Sequence, residues 1–513
     1  MNGAEALLAT ARAAGIDLCL ANPGTTEMPL VTALDGSPGI RPVLGLFEGV
    51  VTGAADGFGR MAARPAMTLL HLGPGFANGI ANLHNARRAG TGIVNVVGDM
   101  ATWHRPYDAP LTSDIASLAR PVSHWFRATQ RPEDVPGDMA DAIAAATSAG
   151  GRIATLVVPV DCLWSASVAP AVPRQPAPRP VVPEETIAEA AKVLAAGGPV
   201  ALMLGPQLLT EAGLALAGRV SAATGCRLLA EKFPARIERG VGRPDPQRLG
   251  YFPEQAAASL EGIRHLILVG ARAPVTFFGY QGTASSEVPD GVGTVHLAGP
   301  DDDASSALAE VLDRLPEADD GAAPASATPE QPTGPLTPET AGAVLAALQP
   351  EGAIVVDEAL TSSAPYWTAA AGSAPHTALT LTGGAIGQGL PSATGAALAC
   401  PDRRVIAYQA DGSGLYTAQA LWTMARESLD VTVVICANRR YRILQAEQRR
   451  DGITDGGTAS AAFTDLRSPA VDWVSLANGY GVPGVRVSTV EHMTEQLRGA
   501  LAEPGPQLIE VLL

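Results

Sequence analysis

The sequence predicts an α/β fold made of three doubly wound parallel-sheet domains. The chain has 513 residues, which is too long for one hydrophobic core and suits about three domains of 150 to 200 residues. Short apolar runs alternate with helix-length segments along the chain, a pattern typical of parallel sheets covered by helices. Two stretches rich in proline and alanine interrupt this alternation. Together these observations predict three α/β blocks in series.

The two proline- and alanine-rich stretches set the predicted domain boundaries. They run from Ala169 to Pro183 and from Leu315 to Pro335, and such composition gives extended, exposed connectors. The predicted domains are residues 1–168, 184–314 and 336–513.

Each block contains short apolar runs that we predict to be strands. In chain order these runs are Leu18–Ala21, Met67–Leu70, Ile93–Val97, Thr155–Val158, Pro199–Leu204, His265–Val269, Ile354–Val356, Val405–Tyr408 and Val431–Cys436.

Composition and charge exclude several classes of protein. The net charge of −16 argues against nucleic acid and anionic membranes as partners. No apolar run reaches the length that spans a bilayer, and the first residues lack the pattern of a signal peptide. The five cysteines are scattered without a CxxC pair, which favours reduced thiols and a cytoplasmic location.

Two polar side chains follow neighbouring predicted strands of the third block. Asp411 comes just after the run that ends near Tyr408, and Asn438 comes just after the run that ends at Cys436. Parallel strands joined by a crossover helix end at the same edge of a sheet, so these two side chains should meet. A carboxylate, an amide oxygen and a backbone carbonyl, with phosphate oxygens and water, suit Mg²⁺.

At these residues the chain resembles the thiamin-diphosphate enzymes, whose motif places Gly-Asp-Gly well before a pair of asparagines. The resemblance implies that Asp411, Asn438 and the Arg440 carbonyl hold Mg²⁺, which binds the diphosphate of the cofactor. Ala410 replaces the first Gly of the motif and Ala437 replaces its first Asn. Neither of these two positions supplies a metal ligand through its side chain, so the assignment stands.

The resemblance implies further cofactor contacts in the third block, which corresponds to the family's diphosphate-binding domain. Gly383–Gly387 resembles the segment that supports the bent form of thiamin diphosphate, with Ile386 as the wedge and the Gly384 carbonyl as acceptor of the 4′-amino group. Thr361 offers a hydroxyl to the diphosphate, although helix capping explains this residue nearly as well. The implied set also contains Gly412, Ser413 and Tyr441.

The first block corresponds to the family's pyrimidine-binding domain and carries the expected acid. Thiamin chemistry needs a proton on the aminopyrimidine ring, and a carboxylic group in an apolar pocket can supply it. Glu48 follows Leu46 and Phe47 and falls on the glutamate of the family motif. The alternative is a surface carboxylate that caps the following helix.

Two more residues of the first block resemble active-site residues of benzoylformate decarboxylase. Thr25, in the turn Asn22–Glu27, takes the place of a residue that lines the substrate pocket, or it simply caps a helix. His71 ends a predicted strand and matches an acid–base histidine, or it is a structural loop residue. In the central domain Gly279 appears where that enzyme has a second histidine.

The resemblance implies that a 2-oxo acid loses CO₂ on thiamin diphosphate. The product is then protonated to an aldehyde, as in benzoylformate decarboxylase, or joined to a second carbonyl compound, as in acetolactate synthase. The whole chain is most similar to acetolactate-synthase large-subunit-like proteins, and the sequence leaves both outcomes open. A cofactor-binding paralogue without catalysis, acting as a regulatory or scaffold subunit, is the alternative.

Three expectations concern partners. Acetolactate synthases carry FAD, so FAD is compatible with the resemblance, but the central block has no FAD signature and FAD is not predicted. Arginines at 439, 440, 442, 449 and 450 favour a 2-oxo acid with an extra anionic group, or they form a solvated helix face. Glu48 and Asp411 lie in different blocks, and in this superfamily those blocks meet between subunits, which implies a homodimer or homotetramer.

Overall fold

The structure, a computed structural model of the chain, describes residues 1–166, 169–317, 329–453 and 457–513. Its contacts divide the chain into two compact units. The first unit comprises Met1–Ala177, Glu330–Thr368 and Leu381–Leu513, and the second comprises Pro178–Pro329 and Ala369–Thr380.

The first block forms a six-stranded parallel sheet surrounded by helices. The strands are β1 Leu18–Asn22, β2 Arg41–Leu44, β3 Ala66–Leu70, β4 Ile93–Asp99, β5 Trp125–Ala128 and β6 Ile153–Pro159. The helices are α1 Gly3–Ala13, α2 Met28–Leu34, α3 Glu48–Ala62, α4 Leu72–Ala89, α5 Ile115–Ala119, α6 Val135–Thr147 and α7 Val160–Trp164. The strand order is β2-β1-β3-β4-β6-β5 and all pairs are parallel. Strands β3, β4 and β6 are buried along their whole length because helices cover both faces.

The central block forms a five-stranded parallel sheet in the second unit. The block contains six strands, of which all but β9 belong to this sheet. They are β7 Val200–Leu204, β8 Arg227–Ala230, β9 Arg236–Arg239, β10 Gln247–Arg248, β11 His265–Val269 and β12 Gly293–Ala298. The helices are α8 Glu184–Ala195, α9 Glu211–Thr224, α10 Pro253–Leu260 and α11 Ala304–Leu312. The order is β10-β8-β7-β11-β12, with every pair parallel.

The third block contributes the remaining elements. Its strands are β13 Ile354–Glu358, β14 His376–Thr380, β15 Val405–Ala410, β16 Val431–Ala437, β17 Gly484–Val487 and β18 Gln507–Leu512. Its helices are α12 Pro338–Leu348, α13 Ser363–Ala369, α14 Gly389–Ala399, α15 Asp411–Gly414, α16 Ala420–Arg426, α17 Arg442–Arg450, α18 Thr458–Ala462, α19 Trp473–Gly479 and α20 Val490–Ala502. Within the first unit, five strands run parallel in the order β17-β18-β16-β15-β13.

The predicted α/β class with parallel sheets is confirmed. One feature was not predicted: β14 pairs with β9 in antiparallel register inside the second unit. The domain limits 1–168, 184–314 and 336–513 stay a prediction. The first connector has no helix or strand from residue 169 to residue 183, as expected, and part of the second connector lies outside the described residues.

Helices α3 and α14 bring the first and third blocks into contact within the first unit. A Cβ atom on Gly57 would lie 2.1 Å from the Ser392 carbonyl oxygen, and one on Gly395 would lie 1.9 Å from the Ala54 carbonyl oxygen. Only glycine therefore permits the two helix backbones to approach this closely.

Within the described residues, no helix is long and apolar enough to cross a membrane. All five cysteines are free thiols, and four of them are buried.

Candidate active site

The predicted residues of the first block gather at the carboxyl edge of its sheet. Thr25 follows β1, Glu48 follows β2, and His71 follows β3. Because β1 pairs in parallel with both β2 and β3, the three strand ends lie side by side.

Glu48 is the first residue of α3 and is 7% exposed. Its Oε2 accepts a hydrogen bond of 2.9 Å from the Asn78 side chain on α4. A Cβ on Gly75 would lie 3.1 Å from Glu48 Oε1 and 3.3 Å from the Cβ of His71. The carboxylate and the histidine therefore border the same glycine, and Asn78 fixes the carboxylate's orientation.

His71 is held by a residue that the sequence did not single out. Its Nδ1 lies 2.7 Å from Oε2 of Glu27, whose side chain is fully buried. The Thr26 hydroxyl donates to the other Glu27 oxygen at 2.5 Å, and the Gly24 backbone N–H donates to Oε2 at 2.8 Å. A carboxylate only accepts hydrogen bonds, so Nδ1 carries the proton and Nε2 is the nitrogen left to exchange one.

Thr25 begins a short 3-10 helix, Thr25–Glu27, and is exposed. It lines a cavity of about 610 Å³ between α1, α2 and α7, together with Met28 and Trp164. Its predicted role in a substrate pocket stays a prediction. Thr26 and Glu27 belong to the same turn motif, so that motif was the signal that could have identified them.

The third block places Asp411 against the turn that contains the other predicted metal ligands. Asp411 Oδ2 accepts a hydrogen bond of 2.6 Å from the Arg439 backbone N–H, and Asn438 Oδ1 accepts one of 2.9 Å from the Arg440 N–H. Strands β15 and β16 pair in parallel up to Ala410, which explains why the two turns meet. Burial raises the pKa of Asp411, which is 5% exposed, although the Arg439 and Gly412 N–H groups oppose this rise.

The other predicted cofactor contacts of the third block show different surroundings. A Cβ on Gly412 would lie 2.7 Å from the Tyr441 ring, so this ring packs directly on the Asp411 turn. The Ser413 hydroxyl is engaged inside the chain, where it accepts from the Gln409 side chain at 2.6 Å. Thr361 is partly exposed in the 3-10 turn Leu360–Ser362 after β13. Their contacts with a cofactor stay predictions.

The segment Gly383–Gly389, here called the cofactor loop, contacts α4 of the first block. His84 Nε2 lies 3.1 Å from the Gly383 carbonyl oxygen, and the Asn85 amide exchanges two hydrogen bonds with the backbone of Ala385. Asn82 Nδ2 donates to the carbonyl of Gly49 and, at 3.3 Å, to that of Gly387.

The asparagines at positions 78, 82 and 85 thus all bind elements of the candidate site, and none of the sequence motifs identified them. Their i, i+4, i+7 spacing along α4 was the available signal, because it puts them on one helix face.

The residues fit Mg²⁺ and thiamin diphosphate by their chemistry. Asp411 is a buried carboxylate whose hydrogen bonds come from backbone N–H groups, which leaves its negative charge to be balanced by a cation. No group of three or more His, Cys, Asp or Glu side chains could hold a metal ion in the part of the chain that the structure describes. A Mg²⁺ site here therefore depends on amide, backbone and diphosphate oxygens beside one carboxylate.

The carboxyl edge of the central sheet carries both carboxylates and a helix N-terminus. The turn after β12 contains Asp301, Asp302 and Asp303, and the Asp302 carboxylate accepts from the Gly299 N–H. After β7, the 3-10 helix Pro206–Leu209 leads directly into α9. FAD stays compatible with the family resemblance and is not predicted.

Comparisons with known proteins identify the family of this chain. Residues 1–118 match the family of the thiamine pyrophosphate enzyme N-terminal TPP binding domain, and residues 362–511 match that of the C-terminal TPP binding domain. The chain is 49% identical over its whole length, and over 99% of the relative, to "Putative acetolactate synthase large subunit IlvX" of Mycobacterium tuberculosis. It is 30% identical to the benzoylformate decarboxylase of Pseudomonas aeruginosa over 97% of this chain and 96% of that protein.

A solved structure supports the same relationship. The thiamine diphosphate-dependent 4-hydroxybenzoylformate decarboxylase of Rhodococcus jostii aligns with a TM-score of 0.88 and 26% identity, over 99% of this chain and 98% of that one. These matches confirm the resemblance inferred from the motifs. The chain belongs to the thiamine pyrophosphate-dependent enzymes.

Proposed function

We propose that this enzyme decarboxylates a 2-oxo acid with thiamin diphosphate held through Mg²⁺. The single observation that carries the proposal is the buried Asp411 carboxylate lying against the Asn438–Arg440 turn. When bound, thiamin diphosphate supplies a nucleophilic carbon and an electron sink for the electron pair that CO₂ leaves behind. Asp411, the Asn438 side chain and the Arg440 carbonyl would hold the metal that binds its diphosphate.

Residues of the first block would handle protons. Glu48, oriented by Asn78, would hold a proton at the aminopyrimidine ring. His71, with Nδ1 fixed by Glu27, would exchange a proton with the substrate through Nε2. The family resemblance sets Gly279 in place of the second histidine of the decarboxylase pair, so His71 would be the one histidine retained. Both outcomes, release of an aldehyde and ligation to a second carbonyl compound, therefore remain in the proposal.

The substrate and the assembly form the finer part of the proposal. Arg442 and Arg449 are exposed on α17, next to the metal turn, and favour a 2-oxo acid with an extra anionic group. We infer a homodimer or homotetramer in which Glu48 of one chain acts with Asp411 of another. The free cysteines favour a reducing, cytoplasmic location. A non-catalytic subunit is disfavoured, because Glu48 and Asp411 are both retained and the named relatives are enzymes.

Product analysis tests the proposal. The purified protein, supplied with thiamin diphosphate and Mg²⁺, should release CO₂ from at least one member of a panel of aliphatic, aromatic and dicarboxylic 2-oxo acids. Adding a second carbonyl compound then separates aldehyde release from ligation. The Glu48→Gln protein is the matched control, because it should retain the fold and lacks the proposed acid. Absence of CO₂ with every 2-oxo acid would refute the proposal.

A further inference from the structure

The cofactor loop is held at alternate residues. Gly383 and Ala385 are bound by His84 and Asn85, as described above. Neither Gly384 nor Ile386 makes a hydrogen bond to any other described residue of the chain. These are the two residues that the family resemblance assigns to the cofactor. Gly383 and Ala385 are therefore anchored to α4, whereas Gly384 and Ile386 remain available for contact with a ligand.

The other side of the cofactor loop is held by a carboxylate without an assigned role. Glu358 is the last residue of β13 and is 2% exposed. Its Oε1 accepts a hydrogen bond of 2.6 Å from the Gly387 N–H, and its Oε2 accepts one from the Gly389 N–H. The Gly387 carbonyl in turn accepts from the hydroxyl of Thr417 at 2.8 Å. The side chains of Glu358 and Thr417 thus fix the two peptide groups that follow Ile386, one on each side of Gly387.

Burying the Glu358 carboxylate costs desolvation free energy, which an apolar side chain of the same size would not cost. No Arg, Lys or His side chain forms an ion pair with Glu358 in the described parts of the chain, so backbone N–H groups are its main compensation. Hydrogen bonds to an ionised acceptor are stronger and more directional than neutral ones. A neutral apolar residue would fill the same space at lower cost, but it would leave two buried N–H groups without acceptors.

We propose that Glu358 is a positioning residue: it fixes the cofactor loop so that the Ile386 side chain and the Gly384 carbonyl are presented to the aminopyrimidine part of thiamin diphosphate. The inference rests on the proposed function for the identity of the cofactor. A simpler role exists, because Gly389 is the first residue of α14 and a carboxylate at a helix N-terminus stabilises the helix. The two roles differ in one measurable respect: capping changes stability alone, whereas positioning also changes cofactor affinity.

Three variants separate these roles. Glu358→Ala removes both acceptor oxygens, and Glu358→Gln keeps one of them. Asp357→Asn is the matched control: Asp357 is the buried carboxylate next to Glu358, and its hydrogen bonds come from the Trp367 indole, the Ser363 hydroxyl and the Ala359 N–H, not from the cofactor loop. Calorimetry with saturating Mg²⁺ gives the thiamin diphosphate dissociation constant. Hydrogen–deuterium exchange of the peptide covering residues 381–391 reports on the loop in cofactor-free protein.

Glu358→Ala should raise the dissociation constant by about tenfold or more, as expected for losing buried hydrogen bonds, and should speed exchange of the loop peptide. Glu358→Gln should lie between this variant and wild type, and it carries the test if the alanine variant does not fold. Asp357→Asn should leave both measurements near wild type. Unchanged cofactor affinity in the Glu358 variants, or an equal loss in Asp357→Asn, would overturn the proposal. Failure of the proposed function would show separately, as wild-type protein that binds cofactor without releasing CO₂.

Discussion

Replacing Glu358 with glutamine should remove a pH dependence of folding stability that burial of this carboxyl group creates. Burial raises the pKa of Glu358 from 4.5 to about 7, although the N–H groups of Gly389 and Gly387 oppose the rise. The folded protein therefore binds the proton more tightly than the unfolded chain does. The contribution of the group to stability is complete below pH 4.5 and is lost as the pH rises through about 7.

The size of the effect follows from the shift. One pKa unit corresponds to about 1.4 kcal/mol, so wild type should lose about 3 kcal/mol of unfolding free energy relative to Glu358→Gln between acid and mildly alkaline pH. Urea titrations of the cofactor-free proteins at constant ionic strength, followed by tryptophan fluorescence, measure this difference. Glu358→Ala is the control, because its difference from Glu358→Gln should not vary with pH. A wild-type minus Glu358→Gln difference that is constant across the pH range would refute the reasoning.

Substitutions at the other site residues test the remaining assignments. Glu48→Gln should keep cofactor binding but lose most turnover, because an amide cannot deliver the carboxyl proton, and near-wild-type turnover would contradict this role. Asp411→Ala should weaken thiamin diphosphate binding in calorimetry, most strongly at limiting Mg²⁺, because the metal loses its anionic ligand; unchanged affinity would remove the metal assignment. Co-expressed Glu48→Gln and Asp411→Ala chains should recover part of the activity if each site uses two chains, and a catalytically active monomer in light scattering would exclude that assembly. His71→Ala should lower turnover by about 10²–10⁴-fold without changing cofactor affinity, and an unchanged rate would leave His71 as a structural loop residue.

The fold class could be predicted from the sequence because each buried strand is a short run of consecutive, mostly apolar residues. Runs such as Ile93–Val97 and Val431–Cys436 are apolar apart from Asn95 and Thr432, as is typical of strands covered on both faces, and they fall within β4 and β16. The antiparallel pairing of β9 with β14 was missed because it joins segments far apart in the chain. The arginine, glutamate and threonine residues of those strands do not form an apolar run.

The positions of candidate site residues were predictable where these residues belong to a motif, but the residues that hold a motif in place were not. Asp411 and the Asn438 turn were placed together correctly, because the ends of adjacent parallel strands must coincide. Glu358, Asn82 and Asn85 bind backbone groups of the cofactor loop, which is distant from them in sequence. The spacing of the asparagines indicates that they share a helix face, but no local pattern identifies a partner that is a peptide group elsewhere, so these contacts emerge only from the folded chain.

If His71 exchanges a proton with the substrate, as proposed, its surroundings bear on the outcome of the reaction. Glu27 engages Nδ1 and is itself bound by Thr26 and by the Gly24 N–H, so the imidazole has one orientation and one nitrogen left for proton exchange. Under the proposed function, the electron pair that CO₂ leaves behind is taken either by a proton, which gives an aldehyde, or by the carbonyl carbon of a second compound, which gives a ligated product. The family resemblance sets Gly279 in place of a second histidine, so under that resemblance His71 is the only histidine that would deliver the proton. Because the two reactions would compete for the same electron pair, the ratio of ligated product to aldehyde should respond to acceptor concentration more than to pH.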